Sequence, residues 1–202
     1  MLVIGFGRFG QIVSQPLLAR GHRISTIDND TDMIRAAATF GFKVYYGDGT
    51  RLDILHAAGA RNADLVIVAV DKKEAATRIV ELVKSEFPLT KVMARAFDRA
   101  HAIELVKHGA DYQLREVFES ALTFSGEAIQ LLGGTTDEAA ELIDDVRRRD
   151  QQRFEAQLLG GLQAGRGLLL SNAEEQARES GAVAGPSTPI IAPPDEVAEK
   201  AT

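Results

Sequence analysis

The chain has 202 residues and a mass of 21.8 kDa, room for one ordinary domain and appendages. Its 29 acidic against 23 basic side chains give a formal charge of −6, which removes the general pull toward a polyphosphate backbone, so nucleic acid is not expected as a partner. A 45% hydrophobic share with 26% charged residues suits a packed core, and the absence of cysteine excludes disulfides, thiolate nucleophiles and Cys-ligated metals.

Short apolar or β-branched runs at residues 2–4, 23–27, 43–46, 65–70 and 91–94 alternate with helical spacing at 10–19, 32–40, 52–58, 74–86 and 99–108. Gly21, Gly41, Gly59 and Gly109 follow helical patterns as C-terminal caps, while Asp32 and Asp98 stand where N-caps belong. Strand, helix, strand in this order predicts right-handed βαβ units and a parallel sheet. Residues 65–70 are apolar on both faces, as a central strand covered on both sides requires. The fold class is α/β, a Rossmann-like doubly wound sheet over residues 1–115.

A short edge strand is expected at 112–114, followed by two helices at 116–132 and 137–159. The first carries Val117, Ala121, Leu122, Phe124, Ala128, Ile129 and Leu132, a stripe with no sheet left to cover. That stripe must be buried either on the second helix or on another subunit, and residues 116–159 are expected to form crossover and dimerisation helices. From Gly160 the composition shifts, with Pro186, Pro189, Pro193 and Pro194 near the end, so 160–202 reads as a flexible tail, disordered over roughly 180–202, with one short helix expected at 168–178. No apolar run approaches the roughly 20 residues that cross a bilayer, and no secretory signal opens the chain. The first strand starts at once, which points to a piece of something longer.

Gly5-Phe6-Gly7-Arg8-Phe9-Gly10 is G-x-G-x-x-G, set directly after the first strand and opening the first helix. In that context the first glycine makes a tight turn, the second admits a pyrophosphate and the third packs helix on strand. Packing alone would also use them. Asp28 follows Gly10 by 18 residues at the end of the second strand, where a carboxylate accepts both ribose hydroxyls; that favours AMP or NAD(H) over a 2′-phosphate. Asp48, Gly49 and Thr50 at the tip of the third strand either reach adenine and ribose or form a turn in which Thr50 caps the next helix. Arg95 ends a strand on the same side and either meets a phosphate or pairs with Asp98, and Asp71 ends another there.

Catalysis is not expected. A nicotinamide dehydrogenase needs a second domain that brings substrate to the cofactor. His22, His56, His101 and His108 fall near helix ends or loops, where a solvated imidazole is usual, and form no metal-ligand pair. Neither a Gly-x-Ser-x-Gly elbow nor a Walker motif is present.

With these features the sequence resembles the RCK or KTN domains of potassium channels and transporters, of the TrkA N-terminal type. The resemblance rests on Gly5-Phe6-Gly7-Arg8-Phe9-Gly10-Gln11, Ile27-Asp28-Asn29-Asp30, Tyr46-Gly47-Asp48-Gly49-Thr50, Ala69-Val70-Asp71 and Ala94-Arg95-Ala96, and covers about residues 1–159. The first motif with Phe42-Lys43-Val44-Tyr45-Tyr46-Gly47-Asp48 is similar, more narrowly, to the cytoplasmic C-terminal domain of Kef glutathione-regulated potassium efflux systems.

The resemblance implies a homodimer at the cytoplasmic face of the inner membrane, beneath a transporter domain that exchanges potassium for protons. It implies AMP or NAD(H) in the cleft, against Gly5, Gly7, Arg8, Phe9, Asp28, Asn29, Asp48 and Thr50. It also implies glutathione or its conjugates near the subunit interface, with Arg115 holding a carboxylate and Phe40 sensing an adduct's bulk. Two positions depart from the pattern: Gln15 stands where an arginine is implied, and Asp150 where an asparagine is. An added acid weakens binding of an anionic tripeptide. From the residues alone, Phe40 also reads as core, Arg115 as a partner of Glu119 four residues on, and Arg147, Arg148 and Arg149 as a solvated helix face. A small NAD-dependent oxidoreductase and a regulatory subunit of a potassium uptake system are the alternative functions.

Overall fold

The computed structural model describes residues 1–39 and 42–165. Strand and helix alternate as β1 (Leu2–Ile4), α1 (Arg8–Ala19), β2 (Ser25–Asp28), α2 (Thr31–Thr39), β3 (Val44–Tyr46), α3 (Leu52–Ala57), β4 (Leu65–Val68), α4 (Lys73–Glu86), β5 (Lys91–Ala96), α5 (Arg99–Lys107) and β6 (Tyr112–Arg115). All five strand pairings are parallel, in the order β3-β2-β1-β4-β5-β6. The chain reverses direction of winding between β3 and β4, which opens a crevice at the carboxyl ends of β1 and β4. This is the Rossmann-like doubly wound sheet that the alternation predicts.

Strand lengths follow what each neighbour offers. β2 starts at Ser25 rather than residue 23, because its first partner on β1 is Leu2 and the Ser25 N–H already reaches the Met1 carbonyl. β4 stops at Val68, opposite Ile4, the last residue of β1. β5 instead runs two residues further than expected, since Arg95 and Ala96 pair with Leu114 and Arg115.

Alternation along the strands builds the core. Leu2 and Ile4 of β1, Val66 and Val68 of β4 and Val92 of β5 pack with Leu55 of α3, Ile79, Val80 and Val83 of α4 and Leu105 of α5. The intervening Val3 and Ile67 are buried as well, so both faces of the sheet are covered. Asp98 caps α5 as expected, accepting the His101 N–H at 2.8 Å. Asp32 does not cap α2: Asp30 Oδ1 accepts the N–H groups of Asp32 and Met33, at 2.9 and 3.1 Å, and Asp32 lies in the first turn.

Two further helices follow, α6 (Glu116–Leu131) and α7 (Thr136–Gly160), which pack on each other. Their turn is fixed by a capping box between Thr135 and Glu138. Gly126 of α6 lets Ile143 of α7 approach, since a Cβ there would stand 2.8 Å from the Ile143 Cδ1. The helix expected to serve a second subunit thus has work inside its own domain: Phe154 of α7 is 4% exposed and joins the main core, and α7 touches α5. The surface of α6 divides accordingly, with Gly126 and Leu131 playing parts that the expected stripe did not include. Leu122 and Gly126 are buried, while Val117, Phe124 and Leu131, spaced by seven, are 73%, 78% and 88% exposed. The expected tail beyond residue 165, its short helix at 168–178, Phe40 and Gly41 lie outside the described residues.

Candidate nucleotide cleft and a neighbouring arginine cluster

The turn after β1 is shaped by its glycines. Gly5 has φ +95°, and a Cβ on it would stand 2.9 Å from the backbone of Ala69 and Val70. A Cβ on Gly10 would lie 2.2 Å from the Gly5 carbonyl oxygen, so both positions need glycine for the fold itself. Gly7 differs: nothing lies within 4 Å of where its Cβ would be, which leaves the backbone open to an incoming group. Gly7 is the N-cap of α1, no side chain caps that end, and the first turn holds no acid. The leading N–H groups of the helix are therefore available to an anion, with the helix dipole behind them.

A cavity of about 340 Å³ opens beside this turn. Gly5, Gly7, Asp28, Asn29, Asp48, Gly49 and Thr50 all line it. The Asp28 carboxylate is fixed by backbone donors, the Phe6 N–H at 2.5 Å to Oδ2 and the Asp30 N–H at 2.8 Å to Oδ1. A carboxylate has about four acceptor sites, so two remain for hydroxyl donors. Thr50 does not cap α3, whose N-cap is Arg51; its N–H and its hydroxyl both donate to Asp48 Oδ1, at 2.9 and 2.7 Å. That brace fixes the loop over the crevice.

Five other sequence-predicted residues do not line the cavity. Phe6 is 1% exposed, its ring packed on Phe42 with centroids 5.0 Å apart, and it contributes its N–H to Asp28. Gly10 packs on Gly5, Arg8 is exposed, and Phe9 lies under the Arg95 guanidinium, 5.6 Å from ring centre to carbon. Arg95 does not pair with Asp98, which takes Lys73 at 2.5 Å. It is shared instead between Asp71 and Glu116, the latter at 2.5 Å. Met33, Lys72, Ala75 and Ile79 line the cavity without having been marked by any motif. They come from the start of α2 and from the first half of α4 with its N-cap, and only the strand order brings those helices to one crevice.

Beside β6 a second cavity of about 390 Å³ is lined by Arg115, Phe118, Arg147, Asp150 and Gln151 among others. Arg115 does not pair with Glu119. It holds Asp150 of α7, 35 residues away, and Arg99 of α5 grips the same carboxylate from the other side. All three side chains are 13–14% exposed. The Arg99 guanidinium is held below the ordinary arginine range, by burial first and then by Arg115 and Arg153, against the pull of Asp150. Glu119 pairs with Arg147 at 3.0 Å, and Arg148 with Asp145, so the arginine run of α7 is a laced surface. Gln15 is exposed on α1 and lines neither cavity.

His101 is not solvated. It is 3% exposed, its Nδ1 accepts the Phe97 N–H at 3.1 Å, and burial lowers its pKa. Among the described residues no cluster of potential metal ligands occurs, and no helix is long and apolar enough to cross a membrane.

Sheet order, glycine turn and strand-end carboxylates define a class, the Rossmann-type nucleotide-binding domains. Within it, the TrkA-N domain model matches residues 1–116, and the chain belongs to that family. A C-terminal domain of Kef from Shewanella denitrificans, solved in its AMP-bound form, superposes with a TM-score of 0.72 at 36% identity, over 78% of this chain and 96% of that one. The glutathione-regulated potassium-efflux system protein of Haemophilus influenzae is 46% identical over 161 residues, and KefC of Salmonella arizonae 41% over 160. These stretches are 80% and 79% of this chain but 26% of each relative, so the chain spans about a quarter of the curated relatives that it matches.

Proposed function

We propose that the chain is the ligand-sensing regulatory part of a potassium efflux system, with AMP or NAD(H) bound in the crevice between β1 and β4. The observation that carries this reading is the open, uncapped start of α1 at Gly7, which lines one cavity together with Asp28 and Asp48. A phosphate sits on the first N–H groups of α1, and the ribose hydroxyls donate to Asp28. The AMP-bound Kef domain at 36% identity supports the ligand class.

Residues 1–115 bind the nucleotide. Residues 116–159 join two copies through Val117, Phe124 and Leu131, an exposed apolar seam with the seven-residue spacing of paired helices. The dimer stands at the cytoplasmic face of the inner membrane and acts on the transporter part of the same system, not as an enzyme. Its mechanism is a population shift: a ligand biases two arrangements of the dimer by the difference in its affinity for each.

Glutathione or its conjugates are the second ligand of this reading, at the cavity beside Arg115 and Asp150. The charge of Asp150 is taken up between Arg99 and Arg115, so a ligand carboxylate there competes with a resident one. Calorimetric titration with AMP, NADH, glutathione and an S-substituted glutathione tests the whole. Binding of AMP or NADH with about one site per chain is expected, with glutathione weaker; heat from none of the four ends the ligand-sensing reading.

A further inference from the structure

Arg95 stands at the end of β5, on the far side of the crevice from Asp28 and Asp48, which end or follow β2 and β3. A mononucleotide seated on α1 with its ribose at Asp28 fills the β2–β3 half. Anything attached beyond its first phosphate extends into the β4–β5 half, as the second half of a dinucleotide does on such a sheet. Asp71, just after β4, lines the cavity there. The guanidinium of Arg95 lies immediately behind Asp71, paired with it, and above the ring of Phe9 in the phosphate turn at 5.6 Å.

The two members of that pair differ in freedom. The Arg95 side chain is 22% exposed and is anchored from behind by Glu116 at 2.5 Å, whereas the Asp71 side chain is 83% exposed and hangs on the cavity rim. An anionic group arriving from the first phosphate meets Asp71 as a like charge and Arg95 as a bidentate partner. The low-cost exchange is for Asp71 to swing into solvent and the new anion to take its place, while Arg95 keeps its hold on Glu116.

We infer that Arg95 and Asp71 together determine how many phosphates the cleft accepts: Asp71 selects for a nucleoside monophosphate, and Arg95 is the group that a second phosphate must capture. The inference rests on the nucleotide reading above and refines its ligand. Because Glu116 is the first residue of α6, the guanidinium that reads the second phosphate also holds the start of the helix that leaves the sheet. An AMP-occupied and an ADP-occupied cleft then differ in what restrains that helix.

The test is titration of the full chain and of Asp71→Asn and Arg95→Gln with both AMP and ADP. In each variant AMP binding reports an intact cleft in the same sample, so the ratio of the two affinities is independent of folding. Asp71→Asn is expected to raise ADP affinity relative to AMP by about fivefold or more, the factor that one like-charge contact at about 4 Å supplies even in water. Arg95→Gln is expected to lower that ratio, and the double variant should fall between the two single variants, relieved of the like charge but lacking the guanidinium. Ratios that match the unsubstituted chain in both single variants overturn the inference while leaving nucleotide binding intact. Binding of neither nucleotide by the unsubstituted chain overturns the nucleotide reading and this one with it.

Discussion

Arg115 and Asp150, 35 residues apart in sequence, meet in an ion pair that fastens α7 to the end of the sheet, with Arg99 closing on the same carboxylate. The carboxylate holds together two guanidiniums that would otherwise repel. Asp150→Asn is therefore expected to destabilise the fold by about 3 kcal/mol, as loss of one partner from a buried pair does. Anions should restore part of the loss: glutathione or sulfate should raise the unfolding temperature of the variant more than that of the unsubstituted chain. Equal shifts in the two proteins would mean that the arginines are closed to ligands.

The phosphate turn separates folding from binding. Gly10→Ala forces a Cβ to 2.2 Å from the Gly5 carbonyl oxygen and is expected to cost about 3 kcal/mol or more. Gly7→Ala meets no neighbour within 4 Å, and Gly7 has φ −64°, which alanine adopts freely. It should leave thermal stability nearly unchanged and reduce AMP affinity at least tenfold. Loss of stability in Gly7→Ala, or unaltered AMP binding, would contradict the assignment of that backbone to the ligand.

Much of this was legible in the sequence, and the reason is local. A G-x-G-x-x-G turn after a strand, with Asp28 at the next strand end, states its own geometry because each residue acts through its immediate backbone. The element order likewise dictated the sheet. What was not legible depends on which helix ends meet across the sheet: that Asp150 reaches Arg99 and Arg115, that Arg95 takes Asp71 and Glu116 rather than Asp98, and that Met33 and Ala75 share one cleft. The imidazole of His101 shows the same limit. A helix-end position suggests solvent, and only the packing of α5 against its neighbours buries it.

That burial gives the fold an acid dependence. Desolvation, the largest influence, holds His101 below its ordinary value of 6.5; the charge of Lys73 acts in the same direction, and Glu104, Asp98 and a hydrogen bond with the Lys73 backbone oppose it. The unfolded chain then binds the proton more readily, so this contribution to stability is complete above about pH 6.5 and is lost as pH falls below it. Asp98 is lowered from 3.8, first by the His101 N–H and then by Lys73. Its contribution is present above that value and is lost as pH falls through the lower folded value. Unfolding temperature should drop between pH 7.5 and 5.5, and His101→Asn should flatten that slope. An unchanged slope in the variant would assign the acid sensitivity elsewhere.

The exposed seam of α6 predicts an assembly. Phe124 is 78% exposed and lies midway between Val117 and Leu131. Phe124→Asp should turn a dimer into a monomer in sedimentation equilibrium without lowering the stability of the isolated domain. A monomeric unsubstituted chain at micromolar concentration would contradict the seam's role.

The central claim is that one nucleotide lies with its phosphate on the start of α1 and its ribose at Asp28. An amide NMR titration with AMP tests it residue by residue. The largest shifts are expected at Gly7, Arg8 and Phe9, with a second group at Asp28 through Asp30 and Asp48 through Thr50. An absence of shifts, or shifts confined to Arg115, Phe118 and Asp150, would contradict it.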